Sequence, residues 1–176
     1  MQLSPARENQ VSQAVLVTEI QVGIAELKVA GHPDRLITFS LGSCVGVSLY
    51  DPFTRVGGLI HIMLPDSTQF NTVTKPAKFA DLGIPLLLSE IRRYGARSAN
   101  LQAKLAGGAQ MFSGSNEKFE LNIGMRNATM ARQTLKKLGI KILAAELGGN
   151  RGRTMILDTV SGQVFIRTAG SQLKVI

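Results

Sequence analysis

The sequence predicts an α+β fold with mixed sheets and two principal helices. Short β-rich runs outnumber helical ones, two segments carry the three- and four-residue apolar spacing of a helix, and 44% hydrophobic against 18% charged residues over 176 positions supply one domain with a core of its own. The strand runs are Val15 to Ile20, Gly23 to Val29, Leu36 to Ser40, Val45 to Tyr50, Val56 to Leu64, Asn100 to Leu105, Ile140 to Glu146, Met155 to Asp158 and Val164 to Thr168. In the first helix Ile84, Leu87, Leu88, Ile91 and Tyr94 form a stripe that Gly95 stops. Pro85 either opens this helix in its first turn or kinks a longer one that begins near Lys75. In the second, Asn127 is placed as the N-cap, Ala128, Ala131, Leu135 and Leu138 form the buried stripe, and Gly139 ends it. No repeat or composition shift divides the chain, so residues 14–176 read as a single domain behind a mobile tail at 1–13.

Composition removes several function classes. A mean hydropathy of +0.12 excludes a disordered chain. The longest non-polar stretch, Val56 to Met63, is broken by His61 and falls far short of the ~20 residues of a membrane span. The first thirteen residues have no apolar run and so are no secretory signal. The single cysteine, Cys44, rules out an internal disulfide framework, fits a reducing compartment and, with only His32 and His61 beside it, leaves a structural zinc site short of ligands. The expected location is the cytoplasm.

A net charge of +8 invites either a solubilising surface or an acidic or nucleic-acid partner. Basic residues cluster only at Lys75/Lys78, Arg92/Arg93, Lys136/Lys137 and Arg151/Arg153, and with no Trp and two Tyr the chain has few stacking platforms, so nucleic acid is not expected as a partner. The glycine pairs Gly57-Gly58, Gly107-Gly108 and Gly148-Gly149 are read as bulges or close approaches near strand ends, with site-lining loops as the minority case. Neither a GxxxxGK[ST] cradle nor a GxGxxG helix opening is present.

The chemistry concentrates between Thr38 and Asp66. Asp51-Pro52-Phe53-Thr54 suits a type I turn, and if Asp51 faces Thr54 then Cys44 lies directly opposite His61 on one sheet face, Cβ atoms about 4.5–5.5 Å apart. That arrangement brings thiol and imidazole within reach of a hydrogen bond or ion pair, the setting in which a thiolate nucleophile forms. A bulge at Gly57-Gly58 would instead move His61 to the other face. Gly42 and Ser43 leave little side chain beside Cys44, so substrate can approach and backbone N–H groups can point at an oxyanion. Gly42-Ser-Cys-Val-Gly46 also spells a nucleophile elbow, but an elbow needs a helix after the nucleophile, whereas Val45, Val47 and Leu49 alternate with Gly46, Ser48 and Tyr50 as a strand. Thr38, six residues before Cys44, is an ordinary strand residue or an orienter of the imidazole through its hydroxyl or carbonyl.

At these residues the sequence resembles the chemoreceptor glutamine deamidases of the CheD family. The resemblance runs from Val22 to Ile166 and rests on T-x-x-L-G-S-C-V at Thr38 to Val45, G-G-x-x-H-x-x-L-P at Gly57 to Pro65, Ala106-Gly-Gly-Ala-Gln-Met-Phe112, Ile123-Gly-Met-Arg-Asn127 and Gly148-Gly-Asn-Arg-Gly-Arg153. Met125 departs from it, standing where a charged surface residue is expected. The resemblance implies an α/β/β sandwich similar to the deamidating domain of the cytotoxic necrotizing factor toxins, with Cys44 as nucleophile, His61 as base and Thr38 as third member, and with no metal or organic cofactor. It further implies conversion of glutamine side chains on receptor cytoplasmic domains to glutamate, and a CheC-type phosphatase as a competing partner. The alternative is a non-catalytic module that binds a receptor or that phosphatase. Either way the basic surface suits Glu-rich receptor helices.

Overall fold

Alternating apolar residues need a partner on each buried face, and the described residues meet that need with two sheets stacked on one another and two helices on one outer side. The computed structural model describes residues 16–110 and 123–176, so the expected tail at 1–13 lies outside the described residues. One sheet takes β1 (Glu19–Gln21), β3 (Arg35–Leu41), β8 (Arg153–Asp158), β9 (Val164–Thr168) and β10 (Lys174–Val175), in that order. The other takes β2 (Leu27–Gly31), β5 (Val56–Ile62), β4 (Val45–Asp51), β6 (Gln102–Gly107) and β7 (Lys141–Leu147). Each contains one parallel pair, β1 with β3 and β6 with β7, among antiparallel ones, so both sheets are mixed.

The helices α1 (Ala80–Arg93) and α2 (Ile123–Lys137) cover the outer face of the second sheet. Along β4, Val45, Val47 and Leu49 point at the helices and join Ile84, Leu87, Ile91, Ala131 and Leu135. Tyr50 and Cys44, of opposite parity, point between the sheets toward Leu36, Leu41, Met155 and Leu157. This is the α/β/β sandwich that the family resemblance implies, with β4 and β5 buried on both faces in its middle layer.

Both helices begin elsewhere than expected. α1 starts at Ala80 after a separate 3-10 turn at Pro76–Lys78, so Pro85 neither opens it nor kinks a helix from Lys75 but lies inside it. α2 already runs from Ile123, which places Asn127 inside the helix and not at its cap. The basic pairs Arg92/Arg93 and Lys136/Lys137 occupy the last turns of α1 and α2, where they complement the carbonyl end of the helix dipole. Gly57 and Gly58 form no bulge: they lie inside an unbroken β4–β5 ladder. Side chains there would meet Leu157 on one face and Leu87 on the other, each at 2.7 Å. They are thinned positions that let both neighbouring layers close on β5.

Candidate functional site

The β4–β5 ladder pairs Asp51 with Val56, Gly46 with His61 and Val45 with Ile62. The expected pairing of Cys44 with His61 is therefore displaced by two residues. The turn is longer than Asp51 to Thr54: the Arg55 N–H reaches the Asp51 carbonyl, and Arg55 takes a φ of +54°. Asp51 itself is engaged from two sides. Its Oδ1 accepts the N–H groups of Phe53 and Thr54, and its Oδ2 accepts the Arg97 N–H at 2.9 Å and the Asn100 amide. Because strand side chains repeat every two residues, an even displacement preserves the face. Cys44 and His61 both project between the sheets, as diagonal neighbours and not as a facing pair.

His61 is fully buried. Across the inter-sheet space, buried Thr38 of β3 places its Oγ1 2.8 Å from His61 Nδ1 and 2.8 Å from the Val22 carbonyl. The Val22 oxygen can only accept, so the single hydroxyl hydrogen of Thr38 goes to it, and Oγ1 must accept from His61 Nδ1–H. The tautomer follows: Nδ1 carries the proton and Nε2 carries the lone pair. Nε2 has no hydrogen-bond partner among the described residues. Thr38 thus acts on the ring through its hydroxyl.

Burial pushes the imidazole down to about 4 and, in the same way, raises the Cys44 thiol above its ordinary 9.0, an effect partly offset by the Cys44 backbone N–H. Thiol and imidazole are both neutral at rest, in place of the ion pair that adjacency alone would favour. Gly42, Ser43 and Cys44 are half-buried.

The loop carrying Cys44 is shaped by a bulge. β3 pairs Thr38 with Met155 and Leu41 with Arg153, which leaves one extra residue on β3, and Ser40 takes a φ of +58°. The Gly42 N–H turns back to the Ser40 carbonyl at 2.9 Å, so of the two expected site-lining residues Gly42 has no N–H to offer an oxyanion.

Residues from distant segments, which sequence reasoning missed, hold this loop. Gly108 N–H donates to the Cys44 carbonyl and Ala109 N–H to the Gly42 carbonyl. Asn127 Nδ2 donates to the carbonyls of Ser43 at 2.9 Å and Met63 at 2.8 Å. Buried Arg153 donates to the carbonyls of Gly107 and Gly148, fixing the end of β6 that carries Gly108. Gly107 has a φ of +111°, and a Cβ there would stand 2.2 Å from the Cys44 carbonyl oxygen, so only glycine lets β6 approach. The signal for these residues was present in the Ala106–Phe112, Ile123–Asn127 and Gly148–Arg153 motifs; Met111 and Phe112 lie outside the described residues. Met125, the departure from the motif, is exposed on α2.

The family model described as CheD chemotactic sensory transduction matches residues 63–168, beginning just after His61. A probable chemoreceptor glutamine deamidase CheD of Desulforamulus reducens is 71% identical over 158 residues, which is 90% of this chain and 95% of that protein. A protein of the same description from Clostridium botulinum (strain Hall) is 53% identical over 154 residues, 88% of this chain and 95% of that one. Among solved structures, a Neisseria meningitidis protein of family model DUF152 aligns with a TM-score of 0.49 at 10% identity, over 76% of this chain and 64% of that chain. With relatives of this identity matched over nearly their whole length, the chain belongs to the CheD family.

Proposed function

We propose that the protein is a cysteine-dependent amidohydrolase that converts particular glutamine side chains of chemoreceptor cytoplasmic domains to glutamate, releasing ammonia, in bacterial chemotaxis. The observation that carries this reading is the state of His61: Nδ1–H is committed to Thr38, while Nε2 keeps its lone pair unpartnered among the described residues, on the face that also bears Cys44. The relatives' name, chemoreceptor glutamine deamidase, supplies the substrate.

In this mechanism Cys44 is the nucleophile, His61 the base and Thr38 the residue that orients the ring. With the thiol raised and the imidazole lowered, the proton stays on sulfur until attack begins. His61 Nε2 then takes it as Sγ bonds to the carboxamide carbon, and the carbonyl oxygen becomes an oxyanion beside the backbone of Ser43 and Cys44. The imidazolium returns the proton to nitrogen, the C–N bond breaks, and ammonia leaves a γ-glutamyl thioester. Water gives a proton to Nε2 and attacks this thioester; the C–S bond breaks, the proton returns to Sγ, and glutamate is released. No step draws on a metal or organic cofactor. Such a substrate places the protein in the cytoplasm, and no helix among the described residues is long and apolar enough to cross a membrane. A CheC-type phosphatase would compete for the same surface, and nucleic acid has no part in the reaction.

Mass spectrometry of receptor cytoplasmic domains incubated with the protein tests the reading. The expected result is Gln-to-Glu conversion that is lost in Cys44→Ala. Receptor binding without conversion would replace the enzyme with a binding module, and conversion by Cys44→Ala would overturn the cysteine mechanism.

A further inference from the structure

We propose, resting on the amidohydrolase reading above, that Asn127 is a positioning residue that aims the backbone N–H of Cys44 at the oxyanion formed on the glutamine carboxamide. Asn127 is fully buried within α2, and its Nδ2 lies 2.9 Å from the Ser43 oxygen and 2.8 Å from the Met63 oxygen. Two carbonyls can only accept, so both amide hydrogens are committed and the side chain cannot be turned end for end. The Ser43 carbonyl and the Cys44 N–H belong to one trans peptide unit and point in opposite directions. Drawing the carbonyl toward α2 therefore turns the N–H away from the helices, toward the inter-sheet face on which the Cys44 side chain packs.

The neighbouring peptide units are held as well. Ala109 N–H grips the Gly42 carbonyl at 2.7 Å and Gly108 N–H the Cys44 carbonyl at 2.8 Å, so three successive carbonyls are anchored and the Cys44 N–H is set before substrate arrives. The Gly42 N–H is committed to Ser40, whereas those of Ser43 and Cys44 make no backbone–backbone hydrogen bond among the described residues. The second hydrogen of the Asn127 amide ties down Met63, two residues after His61, just beyond the last ladder pair Val45–Ile62. One side chain thus anchors the nucleophile loop and the strand that carries the base. Its own Oδ1 is buried without a partner, an arrangement that packing alone would not favour.

Asn127→Ala should remain folded by circular dichroism and should be alkylated at Cys44 by iodoacetamide within about twofold of the parent rate, because that displacement builds no oxyanion. Its deamidation kcat should fall about 10- to 100-fold with KM unchanged, short of the 10²–10³ lost when a donor itself is removed. A folded variant that keeps its kcat, or one whose alkylation falls in step with kcat, overturns the proposal. Should Asn127→Ala fail to fold, the parent protein decides. A peptide bearing an aldehyde in place of the glutamine carboxamide forms a hemithioacetal with Cys44, the thiol proton passing to the aldehyde oxygen. In amide NMR the Cys44 N–H should then move downfield while Gly42 N–H does not, and an unmoved Cys44 resonance in the adduct refutes the assignment. Retention of deamidation by Cys44→Ala is a separate failure, of the nucleophile and not of Asn127.

Discussion

His61 ties stability to pH in a way that His61→Asn should abolish. In the unfolded chain the imidazole titrates at its ordinary 6.5, and in the folded protein burial lowers it to about 4. As pH falls below 6.5 the unfolded state takes up a proton that the native state refuses, so stability present at neutral pH is lost progressively down to about 4 and then levels off. At about 1.4 kcal/mol per pH unit, the drop from 6.5 to about 4 is worth about 3 kcal/mol. His61 is fully buried, so solvent screening does not reduce this figure. For a domain of this size it corresponds to roughly 6–12 °C in Tm. Asn keeps an N–H donor for Thr38 Oγ1 but cannot titrate. Asp51 does not compete in this window: burial raises its carboxyl, but the N–H groups of Arg97, Phe53 and Thr54 and the Asn100 amide more than offset that and hold it below the usual carboxylate range, so its contribution is lost only at more acid pH. Urea denaturation of parent and His61→Asn at pH 7, 6, 5 and 4 is the assay, because the difference between the two curves cancels the other carboxylates. The parent should lose about 3 kcal/mol more than the variant over this range. Parallel curves would show that His61 is not held neutral, and would remove the basis for a neutral thiol–imidazole pair.

Three further perturbations test the site. Thr38→Val, which keeps shape but deletes the hydroxyl, leaves the Val22 carbonyl and His61 Nδ1–H without a partner, at about 1–3 kcal/mol each in stability, and should lower deamidation kcat at least about tenfold. Thr38→Ser should keep most of that rate, and equal losses in the two variants, measured by steady-state kinetics with thermal melts, would refute the hydroxyl's role. Cys44→Ala and His61→Asn should each reduce deamidation to near background, with the double variant little worse, whereas additive losses would show that the two do not act as a unit. Raising salt should reduce kcat/KM on intact receptor domains far more than on a short neutral glutamine peptide, because the +8 field acts over a Debye length. Equal salt responses would remove the docking role of the charge.

What the sequence by itself determined was the shared face of Cys44 and His61 and the fold class. Strict alternation from Val45 to Tyr50 and the spacing to His61 put Cys44 and His61 on one sheet face, and the stacking of the two sheets turned that face inward. The β-rich runs and two apolar stripes were enough for a mixed α+β architecture. The β4–β5 register was not legible, because Asp51, which read as the first residue of a local turn, is held from outside by Arg97 and Asn100, and the connection lengthens to suit. Cys44 and His61 nevertheless share a face because the period of a strand is two: an even displacement changes the neighbour but not the face. Asn127 read as an N-cap because Asn is a good one, yet its amide is taken by carbonyls 84 and 64 residues away and α2 extends past it. Thr38 could be singled out only as a candidate, since its hydroxyl meets His61 across two different sheets. Local spacing records periodicity and short-range capping, whereas contacts between sheets and from helix to loop exist only once the layers have closed, and they decide the tautomer of His61 and the direction in which the Cys44 N–H points.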